Sequence, residues 1–188
     1  MKKNKISKNW INKQRRDIYV RKSKLEGYRS RAIYKLKEID DKFKIIRNGI
    51  KVVDLGSAPG SWSQYLSEKS KNSKILSIDL KDIEKIHNVT HLIGDFLDEK
   101  NQIIISNFFG DKLDLIVSDM AVNTTGNKNL DAISTGELSI NAMEFSVKNL
   151  KKNGSFVSKI FMGSTFNEIV ENGKKNFKEV KVYKPPSS

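Results

Sequence analysis

Apolar residues recur along this chain with two different periods, and the alternation between them divides it into strands and helices. Short apolar runs at 51–55, 74–79, 90–94, 113–118, 154–161 and 178–184 have the length and polar borders of strands. Between them, segments near 61–70, 98–108, 131–152 and 164–176 carry helical spacing. In the third of these helices Ile140, Met143, Val147 and Leu150 share one face, and Asn153-Gly154 supplies a stop signal. Upstream, 9–26 reads as a short basic helix and 29–43 as a stronger one, with Ala32, Leu36, Ile39 and Phe43 forming a stripe. Lys35 lies at the margin of that stripe and Lys37 points away from it. Residues 1–8 show no periodicity and read as disordered, and 122–130 reads as a polar loop at a ligand mouth. Continuous apolar strands alternating with helices predict one α/β domain, with a mostly parallel sheet covered on both faces.

Composition narrows the chemistry. The 188 residues suffice for a single domain with a real core. Without cysteine there is neither a disulfide nor a thiolate metal site, and only His87 and His91 offer imidazole. Both lie in polar surroundings and read as surface residues, so no metal is expected. No apolar run is long enough to span a bilayer, and the basic N-terminus lacks the apolar core of a secretory signal. The expected location is therefore the cytoplasm, with no membrane partner.

The charge is unevenly placed. The chain carries a net charge of +13. Residues 1–37 hold 14 of the basic residues against two acids, Asp17 and Glu26, whereas 38–188 are nearly neutral. A neutral body with a basic arm is the electrostatic footprint of a polyanion binder. Trp10, Tyr19 and Tyr28 are interleaved with the basic residues as candidate stacking faces for unpaired bases. The competing readings are a solvated tail and an organelle-targeting peptide. The second fits poorly, because the segment is rich in Lys and Asn rather than Arg and Ser.

The candidate chemistry centres on Val52-Val53-Asp54-Leu55-Gly56-Ser57-Ala58-Pro59-Gly60-Ser61-Trp62, a strand, tight turn and helix start. The loop lacks the G-x-G-x-x-G spacing of dinucleotide binders. An acid at the strand end repels phosphate and suits a cationic, phosphate-free nucleoside such as S-adenosylmethionine. Ligands of open α/β sheets sit beyond the carboxyl ends of the strands. Those ends carry Asp54, Asp79, Asp95, Asp119 and Lys159. Asp79 is placed to accept ribose hydroxyls, Asp95 the adenine amino group, and Gly60 allows close approach near the amino-acid portion. Trp62 either walls the pocket or packs in the core. Lys159 ends an otherwise apolar strand, where loss of hydration lowers a lysine pKa toward that of a general base. Asp119 opposes that shift and a nearby Lys35 reinforces it, so its net sign stays open at this level.

These residues resemble the FtsJ/RrmJ-type ribose 2′-O-methyltransferases. The resemblance begins at Trp10 and rests on Tyr28-Arg29-Ser30-Arg31-Ala32-Ile33-Tyr34-Lys35-Leu36, Asp54 through Tyr65, Gly94-Asp95-Phe96, Ser118-Asp119-Met120-Ala121 and Gly154-Ser155-Phe156-Val157-Ser158-Lys159. It implies a class I methyltransferase (Rossmann-like) domain at 29–188 behind a basic arm at 1–28. It also implies S-adenosylmethionine contacts at Gly60, Trp62, Asp79, Asp95 and Asp119. The implied catalytic set is Lys35, Asp119, Lys159 and a glutamate, with Lys159 as proton acceptor or as an electrostatic orienter. The implied reaction is 2′-O-methylation of a uridine ribose in 23S ribosomal RNA within the large subunit, by a monomer.

Three departures from the family pattern stand out. Val122 replaces a proline and Ser61 a glycine. In the family a final antiparallel strand bearing the glutamate follows Lys-Pro-x-Ser-Ser. This sequence ends at Lys184-Pro185-Pro186-Ser187-Ser188, so that strand, expected between 154–161 and 178–184, is missing. The competing function is a non-catalytic RNA-binding or ribosome-assembly protein retaining the fold. A nucleotide-dependent dehydrogenase is a poor third, for want of its glycine motif.

Overall fold

The computed structural model describes residues 17–122 and 126–188, so Trp10, the first seven basic residues and the middle of the 122–130 loop lie outside the described residues. The chain runs α1 (Ile18–Leu25), α2 (Ile33–Phe43), β1 (Lys51–Leu55), α3 (Ser61–Lys69), β2 (Lys74–Asp79) and β3 (Val89–Ile93). It continues through α4 (Glu99–Phe109), β4 (Leu113–Ser118), α5 (Lys128–Asn149), β5 (Leu150–Ser158) and α6 (Phe166–Asn176). The strands lie in the order β3-β2-β1-β4-β5 and every adjacent pair is parallel. The order reverses at β1, the first strand, so a crevice opens at its carboxyl end between the β1 and β4 exits. The α/β expectation is therefore met, with a sheet that is wholly parallel.

Alternation along the central strands fills both faces. Val52 packs with Leu36, Trp62, Leu66, Ile75 and Leu115 against α2 and α3. Its neighbour Val53 packs on the other side with Leu76, Ile105, Ile116 and Phe145, against α4 and α5. A strand covered on both faces reads as a mostly apolar run without strict alternation, which is why β1, β2 and β4 were legible.

Local chemistry fixes the helix ends. Asp17 caps α1, its carboxylate accepting from the Tyr19 N–H at 2.9 Å, and Asp98 caps α4 through the Lys100 N–H at 2.9 Å. Gly110 closes α4 in the left-handed region that glycine adopts without steric cost. The basic helix α1 lies against α2: Tyr19 and Tyr28 pack on Tyr34, and Arg31 pairs with Asp17. Tyr19 and Tyr28, expected as stacking faces for bases, are thus half-buried in an aromatic cluster.

Four sequence expectations are corrected. On α2 the fully covered residues are Ile33, Tyr34, Leu36 and Asp40, with Ala32, Ile39 and Phe43 only half-buried beside them. The α1 cluster covers the Tyr34 side, which rotates the buried face. On α5 the buried face runs Ala132, Thr135, Ser139, Ala142, Met143 and Ser146, while Val147 is 46% exposed. Small residues there let the chain approach closely: a Cβ on Gly136 would stand 2.4 Å from the Thr165 hydroxyl. The fifth strand starts at Leu150 and ends at Ser158, with an irregular register between Leu113 and Leu115 that accommodates Asn153 at a φ of 65°. Residues 178–184 form no strand. Among the described residues β5 is the outermost strand on that side, and no neighbour lies between it and 178–184 to complete a ladder.

The last residues return to α2. The Glu38 carboxylate accepts hydrogen bonds from the Ser187 N–H at 3.0 Å and its hydroxyl at 2.7 Å, and Tyr183 meets Phe43 edge-on. No helix among the described residues is long and apolar enough to cross a membrane.

Candidate active site

The glycine loop builds one wall of a cleft lined by Asp54, Gly56, Ser57, Ala58, Trp62 and Asp119. Gly56 holds a φ of 73°, and a Cβ there would stand 2.4 Å from Met120 Cγ, so only glycine lets the β1 and β4 exits close together. Gly60 sits at the start of α3 with a φ of 100°. Its open side faces the Arg29 guanidinium, Ile83 and Ile86. Its left-handed backbone and the packing behind the loop both require glycine there.

Asp79 ends β2 and already serves the loop: one carboxylate oxygen accepts from the Ala58 N–H at 2.9 Å, the other from the Lys81 N–H at 3.0 Å. Asp95 is exposed beyond β3, where its carboxylate accepts from the Leu97 N–H at 2.9 Å and shapes the turn into α4. Trp62 fulfils both roles weighed for it. The indole is buried in the core, lines the cleft, and donates Nε1–H to the Ala32 carbonyl at 2.8 Å.

Lys35, Asp119 and Lys159 meet at the cleft, although they come from α2, the β4 exit and the β5 exit. Lys159 Nζ lies 2.9 Å from Asp119 Oδ1 and donates to the Asp119 main-chain oxygen at 2.8 Å. Lys35 Nζ is 3.7 Å from the same carboxylate oxygen. Their side chains are only about a fifth exposed (22%, 18% and 20% for Lys35, Asp119 and Lys159). Two amines thus share one carboxylate. Burial pushes the Lys35 ammonium below the ordinary lysine range; Asp119 opposes this, and the positive charges of Lys159 and Arg31 add to it. The β5 exit is held from behind by Ser139 on α5, which meets the Ser158 hydroxyl and donates to the Lys159 carbonyl at 3.1 Å.

Asp54 was read from the sequence as the strand-end acid that favours a cationic ligand, and the fold adds to its environment. It is completely buried, accepts from the Ser63 hydroxyl at 2.7 Å, and lines the cleft. Burial pushes its carboxyl up to about 7, with Asp119 and Asp79 adding to the effect and Ser63 opposing it. Its position in a strand covered on both faces was the available signal. Asp54 Oδ1 and Ser57 Oγ are buried polar atoms with no hydrogen-bond partner among the described residues. Buried polar atoms normally have partners, so the cleft presents polar positions for a ligand that exchanges hydrogen bonds. Nearby acids and a loop of small residues that permits backbone approach also suit a cationic, phosphate-free molecule such as S-adenosylmethionine. Among the described residues no group of three or more His, Asp or Glu could hold a metal.

The model of the FtsJ-like methyltransferase family matches residues 28–188. The chain belongs to the FtsJ-like methyltransferase family. Among its relatives is the ribosomal RNA large subunit methyltransferase E of Pelagibacter ubique, 63% identical over all of this chain and 93% of that protein. The protein of the same name from Rickettsia akari is 47% identical, over 97% of this chain and 83% of its own length. A crystal structure from Plasmodium falciparum, described as a ribosomal RNA methyltransferase, superimposes with a TM-score of 0.78 at 32% identity, over 85% of this chain and 93% of that one. The methyltransferase fold and enzyme class expected from the sequence are met in this family.

Proposed function

We propose that this methyltransferase modifies the 2′-oxygen of a uridine ribose in 23S ribosomal RNA, with S-adenosylmethionine as donor and the large ribosomal subunit as substrate. The juxtaposition of Lys35, Asp119 and Lys159 at the ligand cleft carries this reading. When bound, the cofactor supplies a methyl group on a sulfonium. Gly60, Trp62, Asp79, Asp95 and Asp119, with Asp54 beside them, are the residues that would surround it.

The reacting hydroxyl must lose its proton, and Lys159 is the acceptor. A neutral amine has two N–H donors and one lone pair. Lys159 Nζ donates to the Asp119 carbonyl at 2.8 Å and stands 2.9 Å from the Asp119 carboxylate as an ion pair, so the amine is anchored by its donors and can turn its lone pair toward the ribose hydroxyl once its extra proton has left. Asp119 thereby orients Lys159 and stabilises the ammonium that forms. Lys35 steadies the target nucleotide and the charge that develops on its oxygen. The arm at 1–28 docks on RNA phosphates while 29–188 performs the chemistry, and the protein works as a monomer in the cytoplasm.

The test is methyl transfer from labelled cofactor to undermethylated large subunits, with Lys159→Ala beside the unaltered protein. Turnover is expected to vanish in the variant while cofactor binding persists. Unchanged turnover removes Lys159 from the chemistry. RNA binding without transfer by the unaltered protein favours an assembly factor. Binding is expected to weaken steeply with salt, as counterion release demands.

A further inference from the structure

Arg29 is counted by composition among the cationic residues of an RNA-docking segment, but its guanidinium is already committed. Nη1 donates to the Pro59 carbonyl at 3.1 Å and Nη2 to the Lys85 carbonyl at 3.3 Å. These oxygens belong to two different loops, the glycine loop after β1 and the loop after β2. Asp79 joins the same two loops at their other end, through the Ala58 and Lys81 N–H groups. Ile83 and Ile86 complete the seam, since a Cβ on Gly60 would stand 3.3 and 3.0 Å from them and 2.8 Å from Arg29 Nη1.

The local chain is tied down as well. The Arg29 N–H meets Gln64 Oε1 at 3.3 Å, and the Ser30 and Ser61 hydroxyls are 2.7 Å apart. The segment between α1 and α2 is thereby fastened to the start of α3. Lys35 and Arg31 follow within two turns of chain.

We propose that Arg29 is a positioning residue of the cofactor cleft: a two-pronged clamp that holds the β1 and β2 loops at their working separation. It acts from outside the cleft, on backbone carbonyls. The proposal rests on S-adenosylmethionine being the ligand of that cleft. Because the clamp joins the end of the basic arm to the cofactor loops, movement of the arm upon RNA binding is felt at the cofactor.

A planar fork can reach two carbonyls at once, whereas a single ammonium cannot bridge them in the same way. Arg29→Lys therefore separates a clamp from a phosphate ligand, because it keeps the charge and removes the fork. The experiment is calorimetric titration of S-adenosylmethionine into RNA-free protein, comparing the unaltered chain with Arg29→Lys, Arg29→Ala and the exposed control Lys178→Ala. Steady-state kinetics then vary cofactor and RNA separately, and circular dichroism verifies that each variant is folded.

Both Arg29 variants are expected to bind cofactor about tenfold more weakly, the scale of one lost charge-assisted contact. The KM for cofactor rises by a similar factor while kcat at saturating cofactor is kept, and Lys178→Ala behaves as the unaltered chain. A generally loosened fold would depress kcat and cofactor affinity together, which overturns the proposal. So does cofactor binding by Arg29→Lys that matches the unaltered chain, with any loss confined to RNA affinity. If the unaltered chain fails to bind S-adenosylmethionine, the cofactor reading falls and takes the clamp with it.

Discussion

Asp54 is expected to make the folded state less stable as the solution becomes more alkaline, and Asp54→Asn to remove that dependence. Its carboxyl sits at about 7 in the fold against an ordinary 3.8, because burial disfavours the charged form. Between those two values the folded chain holds a proton that the unfolded chain has released, so stability falls as pH rises through that window. Below pH ~4 both states are protonated and the group is neutral in its effect. A gap of about 3 pH units at ~1.4 kcal/mol each sets the full loss at on the order of 4 kcal/mol, complete a little above pH 7. Asparagine keeps the shape and an acceptor for the Ser63 hydroxyl, but it does not titrate. The assay is urea unfolding of the ligand-free protein at half-unit steps from pH 4.5 to 8, with the variant as reference so that other groups cancel. The difference between the two chains is expected to grow in favour of the variant by ~2–4 kcal/mol across the range. A difference that stays within about 0.5 kcal/mol refutes the reasoning, and Asp54 then ionises in the fold without penalty.

Three further outcomes follow from the geometry. Gly56→Ala is expected to lose ~2 kcal/mol or more in denaturant unfolding and most methyl transfer, since its Cβ would meet Met120 Cγ at 2.4 Å next to Asp119. Trp62→Phe removes the indole bond at 2.8 Å and leaves the half-buried Ala32 carbonyl only the Lys35 N–H at 3.1 Å, and thermal melting is expected to report a loss of ~1 kcal/mol. Glu38→Ala removes both hydrogen bonds to Ser187, so limited proteolysis is expected to cleave 183–188 faster while melting shifts by only a few degrees.

The sheet and the charged cluster at the cleft were legible for physical reasons that differ. β1, β2 and β4 announced themselves because burial on both faces makes their runs mostly apolar, with few polar residues such as Asp54 and Ser77 inside them. Asp119 and Lys159 were legible because charged groups at strand ends are costly to bury and gather where ligands bind. Lys35 was placed from a stripe that the fold rotates, and its place beside Asp119 came from the family resemblance rather than from the helical angle. By contrast, the buried face of α5 escaped detection, because Thr135, Ser139 and Ser146 are polar by type; Ser139 and Ser146 are buried through hydrogen bonds to the β5 exit and to their own helix. The run at 178–184 has the composition of a strand, but a strand exists only with a partner in register. Arg29 was read as charge alone, since nothing in composition reveals two carbonyls converging from distant loops.

The tight seam between α5 and the residues that follow β5 bears on how this enzyme can change over time. Ala132 faces Gly163, Gly136 faces Thr165, and Ser139 grips the carbonyl of Lys159. Substitutions that add bulk along that seam have nowhere to go except into the strand exit that aims the amine. Drift is therefore restricted on a helix face away from the cleft, and a sequence library built around the cleft alone would overlook that loss of tolerance.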